Sequence, residues 1–197
     1  MTAMAMVTLL IALVLLSSTS VLAKDDCVYT VFVKTGSVKG AGTDSTIGAT
    51  FYTAEGGAFE IANFTSWGNP LEPNKDYFES SNLDVFSGYG DCLSGPICKI
   101  KLTSDEAGDF SAWFCESVEI TAANSGKKCS THHFTVNQWL STYYLPDYNL
   151  TSSKEGKCSS DSCDSEMYVL AVLRTGVCLD HDERWVRKKC RVRRGHH

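Results

Sequence analysis

From Cys27 to Leu140, apolar and polar residues alternate in short runs divided by turn-forming clusters, and no stretch there sustains an apolar stripe at helical period. Cys27–Val33 (CVYTVFV) is rich in β-branched and aromatic residues and ends at Thr35-Gly36-Ser37, a turn signal. Ser45–Tyr52 alternates, with Ile47, Ala49 and Phe51 on one face and Thr46, Thr50 and Tyr52 toward the other; Glu55-Gly56-Gly57 closes it. Phe59–Phe64 is a weaker strand, and the two prolines of the following SWGNPLEPNKD exclude regular pairing. Leu83–Phe86 and Ile97–Leu102 read as short strands around a Gly-rich turn. Trp113–Thr121 and Phe134–Leu140 complete the set, their tryptophans Trp113 and Trp139 expected in the core. Short strands at this spacing predict an all-β fold of two packed antiparallel sheets.

The two ends of the chain depart from this pattern. Met6–Leu16 (MVTLLIALVLL) is an apolar run of 11 residues, followed by SSTS and Val21-Leu22-Ala23. This predicts a secretory signal peptide over residues 1–23, although its first residues, MTAMAM, carry no Lys or Arg. The run is too short for a spanning helix, which needs about 20 apolar residues. The mature chain is therefore expected to be soluble in the secretory pathway, in the endoplasmic reticulum or the apoplast. After Cys158 a polar linker leads to an apolar patch, Met167–Leu173, and a basic run, Arg184–Arg194. Residues 24–158 are thus expected to form the domain, and 159–197 a linker and a basic C-terminal tail, disordered or divergent.

Composition adds limits. A chain of 197 residues, 43% hydrophobic and 21% charged, suits a single core. Lys24–Cys163 holds 10 basic and 18 acidic side chains, net −8, against net +3 for Asp164–His197. So acidic a domain is not drawn to nucleic acid or an anionic bilayer by simple attraction. No G-x-S-x-G elbow, H-E-x-x-H pair or phosphate-cradling loop is present, and no catalytic residue is assigned. His132 and His133 are adjacent, so on a strand they face opposite ways and cannot share a metal.

Nine cysteines in a chain bound for an oxidising compartment point to disulfides. Cys92 and Cys98 bracket a Gly-Pro turn and are expected to pair. Cys115 and Cys129 flank one strand and its turn, which leaves Cys27 to join Cys158. Cys163, Cys178 and Cys190 form an odd set in the tail. Asn63-Phe64-Thr65 and Asn149-Leu150-Thr151 are glycosylation sequons, so Asn63 and Asn149 are expected on the surface.

Four segments carry a family resemblance when read in order: GAGTDSTIGATFY (Gly40–Tyr52), YFESSNLDVFSG (Tyr77–Gly88), ICKIKLTSDEAGDFSAWFCESVEIT (Ile97–Thr121) and HHFTVNQWL (His132–Leu140). Over Cys27–Cys158 the chain resembles the PLAT domain of lipoxygenases, lipases and polycystins, and in particular the plant class of single-PLAT secretory proteins that includes embryo-specific and stress-induced members. The resemblance implies an eight-stranded sandwich of two four-stranded sheets. It also implies a non-catalytic module that binds a lipid surface or a protein partner through its end loops, in plant seed development or abiotic stress. The iron chemistry of lipoxygenases belongs to a separate domain.

The turn Gly40-Ala41-Gly42-Thr43-Asp44 brings two glycines beside a carboxylate, and such oxygen-rich turns suit Ca²⁺. The resemblance implies a calcium role for this turn, with Gly42, Thr43 and Asp44 as ligands and Asp91 as a second acidic one. The competing reading is a structural turn in which Thr43 and Asp44 bond the backbone. Trp67, in SWGNPLEP, is the candidate membrane or ligand contact, against the alternative of an indole folded back over the sandwich end. The runner-up function is a carbohydrate- or cell-wall-binding sandwich, for which Tyr143, Tyr144 and Tyr148 beside Asp147 supply rings.

Overall fold

The computed structural model describes residues 26–68, 75–124, 127–144, 148–159, 161–162, 177–179 and 185–187. The expected signal peptide, Asp147, and Cys163 and Cys190 of the tail lie outside the described residues. One sheet comprises β1 (Asp26–Thr35), β4 (Leu83–Asp91), β6 (Trp113–Asn124) and β7 (Lys127–Leu140), in the order β4-β1-β6-β7. The two-residue β9 (Asp161–Ser162) extends it beyond β7. The other sheet comprises β2 (Ile47–Thr53), β3 (Ala58–Ile61), β5 (Ile97–Ser104) and β8 (Thr151–Glu155), ordered β3-β2-β5-β8. Every neighbouring pair is antiparallel. The eight-stranded sandwich of two four-stranded sheets is therefore present. In the region expected as a tail, β10 (Val177–Leu179) and β11 (Trp185–Arg187) pair with each other.

Alternation decides which residues fill the space between the sheets. Tyr29, Val31 and Val33 of β1 face Ile47, Ala49 and Phe51 of β2, all in one buried cluster, so β2 presents the face expected of it. Trp113 is fully buried and its indole N–H donates to the buried Thr35 hydroxyl at 3.0 Å. Trp139 departs from expectation. It shares strand parity with the exposed Asn137 rather than with buried Phe134, Val136 and Leu140, and sits half-buried on the outer face. β8 (TSSKE) was not visible in the pattern, because an edge strand this polar has no hydrophobic alternation to detect.

The topology sorts the connections between two ends. Residues 36–46, 62–82, 105–112 and 141–150 link β1 to β2, β3 to β4, β5 to β6 and β7 to β8 at one end. Hydrogen bonds join these loops: Thr43 N–H to the Phe78 carbonyl at 3.3 Å, Asp44 N–H to that of Phe110 at 3.2 Å, and Thr142 N–H to the Glu106 carboxylate at 2.7 Å. The opposite end has short turns and holds the two disulfides whose partners both lie among the described residues.

Those disulfides correct the expected pairing. Cys27 bonds Cys92 and Cys98 bonds Cys158, with Cα atoms 4.9 and 4.7 Å apart. The turn after Cys92 crosses from one sheet to the other. Cys92 therefore stays beside β1, whose Cys27 lies across from Gly90, while Cys98 enters β5 next to β8. Cys115 is buried and unpaired. It stands opposite Gln138, far along the β6–β7 ladder from Cys129; Cys129 is itself disulfide-bonded. Burial, followed by the neighbouring Glu116 carboxylate, pushes the Cys115 thiol pKa far upward, so it is no nucleophile.

Candidate functional site

The loop-bearing end is assembled from the β1–β2 turn outward. Gly40 takes a left-handed φ of 75°, and a β-carbon on Gly42 would come within 3.1 Å of the Ser80 backbone nitrogen. Thr43 is buried, and its hydroxyl accepts the Ser45 N–H at 3.1 Å. The Ser45 hydroxyl lies 2.8 and 3.1 Å from the Ala107 and Ser111 carbonyls. Thr43 and Ser45 therefore stitch the loops together, and Thr43 is not placed as a ligand. Asp44 alone of this turn projects a carboxylate to solvent.

The β3–β4 loop brings Asp44 its companions. One oxygen from each of Asp44, Asp76 and Glu79 lies within 4.8 Å of the others, two of the residues exposed and Glu79 half-buried. The segment carrying Asp76 and Glu79 has no regular structure, and Phe78 and Ser81 within it hold left-handed φ values of 60° and 65°. Asp84 anchors it. This carboxylate is fully buried, accepts the Phe78 N–H at 2.7 Å and pairs with the Lys75 ammonium at 3.2 Å. A cleft of about 350 Å³ opens beside Asp44 and Asp76, lined in part by Thr65, Lys75 and Tyr77. Three carboxylates with nearby loop carbonyls fit a hard cation that takes 6–8 oxygens.

Asp91 belongs elsewhere. It ends β4 across from Asp26, whereas Leu83 at the start of β4 faces Lys34, so the length of the strand, roughly 26 Å, separates it from this cluster. Asp76 and Glu79 are the carboxylates that the sequence reading missed. Their signal was the acidic content of the loop after the prolines, but only the folded loop shows that they meet Asp44.

Trp67 also differs from expectation. The half-buried indole packs against the core, edge-on to Phe59 at 5.9 Å and directly over Gly88, where a β-carbon would lie 2.8 Å from the ring. It closes the seam between the β3 and β4 edges, folded back as the competing reading held but against the side of the sandwich, not over its end. The exposed rings are others. Among the described residues the exposed large hydrophobics are Val38, Leu83, Phe110, Tyr143, Tyr144 and Tyr148, and all six lie at the loop-bearing end. Phe110 and Tyr143 are each 74% exposed. Both sequons share this end. The Oδ1 of Asn63 accepts the N–H and hydroxyl of Thr65 at 2.9 and 2.8 Å, and that of Asn149 accepts those of Thr151 at 3.0 and 3.1 Å. His132 is buried, its Nε2 accepting the Ile97 N–H at 3.4 Å, and His133 is exposed, so the two part as expected.

Comparison with known proteins agrees with this architecture. The PLAT/LH2 domain family matches residues 29–152. PLAT domain-containing protein 1 of Arabidopsis thaliana is 46% identical over 127 residues, covering 64% of this chain and 70% of that protein. PLAT domain-containing protein 3 of the same plant is 48% identical over 90 residues, 45% of this chain and 86% of that one. Lipoxygenase homology domain-containing protein 1 of Homo sapiens is 33% identical over 116 residues, 57% of this chain but 5% of that protein. Among solved structures, coral 8R-lipoxygenase aligns at 21% identity and a TM-score of 0.47, over 66% of this chain and 17% of that one. With the family matched over residues 29–152 and a relative 46% identical across the 127 aligned residues, the chain belongs to the PLAT/LH2 domain family.

Proposed function

We propose that this protein is a non-catalytic module of the secretory pathway that docks on a lipid surface through its loop-bearing end, with Ca²⁺ held by Asp44, Asp76 and Glu79. One observation carries the reading: a cluster of three carboxylates and all the exposed large hydrophobics among the described residues share one end of the sandwich. An acidic domain is repelled by anionic headgroups until a cation neutralises its contact surface. Calcium bridges carboxylates and phosphates, while Phe110, whose backbone carbonyl is bonded to Asp44, enters the interface. Burial of a phenylalanine side chain contributes about 1.5–3 kcal/mol, a factor of roughly ten or more in affinity. The disulfides support an oxidising compartment. Resemblance to the plant class supports a setting in seed development or abiotic stress, which the phenotype of a loss-of-function line tests.

Sedimentation with mixed phosphatidylserine and phosphatidylcholine vesicles, in calcium and in chelator, tests the docking. Binding is expected in calcium alone, abolished in Asp44→Asn/Asp76→Asn and weakened about tenfold in Phe110→Ser. Equal binding in chelator overturns the calcium bridge, and no binding in either condition transfers this end to a protein or cell-wall partner.

A further inference from the structure

A second surface lies on the outer face of the β6–β7 ladder. Along β1, Thr35 faces Cys115 and Lys34 faces Ser117; along β7, Gln138 faces Cys115 and Thr135 faces Ser117. Glu116 is thus an extra residue against β1, whereas against β7 the surplus lies on the partner, where Val136 and Asn137 together oppose Glu116, so two bulges meet at the centre of the sheet. With Cys115 and Val118 both facing the core, Glu116 and Ser117 emerge side by side on the outside. Opposite them, Asn137 takes a left-handed φ of 45° and is exposed.

The bulge floors a groove of about 370 Å³, lined by Phe114, Glu116, Ser117, Thr135 and Asn137, with Ser37 at its rim. Aromatic rings continue from it toward the loop-bearing end. Phe114 meets Trp139 edge to face at 5.3 Å and 72°, and Trp139 stacks on Tyr144 at 4.2 Å and 10°. From His133 to Trp139 the strand covers roughly 20 Å at about 3.3 Å per residue. Hydroxyl, amide and carboxylate groups therefore stand beside a strip of half-buried Phe114 and Trp139 ring surface that ends on the exposed Tyr144, long enough for an extended ligand.

The chemistry selects the occupant. No Lys or Arg lines the groove, and the surrounding domain is strongly acidic. Phosphates, nucleic acids and uronates are thus disfavoured. Buried in this polar groove, an acyl chain would leave Glu116, Ser117 and Asn137 desolvated without partners. A sugar offers both halves of the match: hydroxyls for those side chains and a C–H face for the rings. We propose that the Glu116 bulge and the Phe114–Trp139–Tyr144 ladder bind a neutral polysaccharide on the sheet face, independently of the carboxylate end.

Affinity electrophoresis of the full mature protein through gels holding hydroxyethyl cellulose, arabinoxylan or polygalacturonate is the test, with thermal unfolding confirming that each variant folds. Retardation by at least one neutral polymer and none by polygalacturonate is expected. Glu116→Ala/Asn137→Gly, which relieves the positive φ, should need about tenfold more polymer for half-retardation. Asp44→Asn/Asp76→Asn, measured against its own migration in polymer-free gel, should be retarded as much as the parent is. Unaltered migration in both neutral polymers, or undiminished retardation of the Glu116/Asn137 variant, overturns the proposal. Loss of retardation in the Asp44/Asp76 variant would instead place sugar binding at the loop end, and retention by polygalacturonate alone would overturn the neutral ligand.

Discussion

Asp84 shows how a residue remote from any ligand can decide a site. A buried carboxylate is costly unless paired and hydrogen-bonded, and this one has Lys75 at 3.2 Å and the Phe78 N–H at 2.7 Å. Both partners belong to the irregular stretch that presents Asp76 and Glu79, so one side chain fixes the position of two others. Asp84→Asn is expected to lower stability to urea by about 1–3 kcal/mol, because the charge-assisted bond from the Phe78 N–H and the ion pair with Lys75 are both weakened. Calcium affinity should fall with it although no proposed ligand has changed; a calcium titration at unchanged affinity would show that the stretch holds its shape without Asp84. Hydropathy gives no warning of this. In Leu83-Asp84-Val85-Phe86 the leucine faces solvent and the aspartate faces inward, the reverse of the assignment by polarity.

At the level of strands and loops, the readable parts were those governed by local period. The faces of β2 and the burial of Trp113 followed from alternation, and the parity of Phe134, Val136 and Leu140 already contained the outward orientation of Trp139. Contacts between loops were not readable, since they depend on which chain ends the topology gathers. That is why the resemblance, which implied Asp91 just before β5, gave no sign of Asp76 and Glu79. It also explains the disulfides, whose partners are set by sheet membership rather than by the length of the intervening turn.

Glu106 is one such contact. It ties the β5–β6 loop to the β7–β8 loop by accepting the Thr142 N–H at 2.7 Å and hydroxyl at 2.8 Å. The backbone bond from Thr142 is the main cause that holds its carboxyl below the ordinary range. A depressed folded value means that the tie is complete above the ordinary glutamate value near 4.3 and is lost as pH falls through the folded value. Protection of the Thr142 amide against hydrogen exchange, corrected for intrinsic rate, should therefore hold through the ordinary glutamate range and decline only at more acidic pH. In Glu106→Gln it should be lower and flat; a decline of equal size in that variant would assign the effect to another group.

Across the whole molecule, covalent closure and loop display occupy opposite ends. Cys98 and Cys158 enclose a separation of 60 residues, for which the chain-entropy account gives about 4 kcal/mol. Cys98→Ser/Cys158→Ser should unfold at correspondingly lower denaturant while vesicle docking at low temperature persists; loss of docking in a variant that remains folded would show that the staple shapes the far loops. The same polarity bears on how the domain can be attached to other things. Asp26 opens β1 and Cys158 follows β8, both beside the disulfides and a full strand length from Phe110 and Asp44. A linker, a reporter protein or a sensor chip joined at either place leaves the contact end facing away from its support, so the fold serves as a ready-oriented tether.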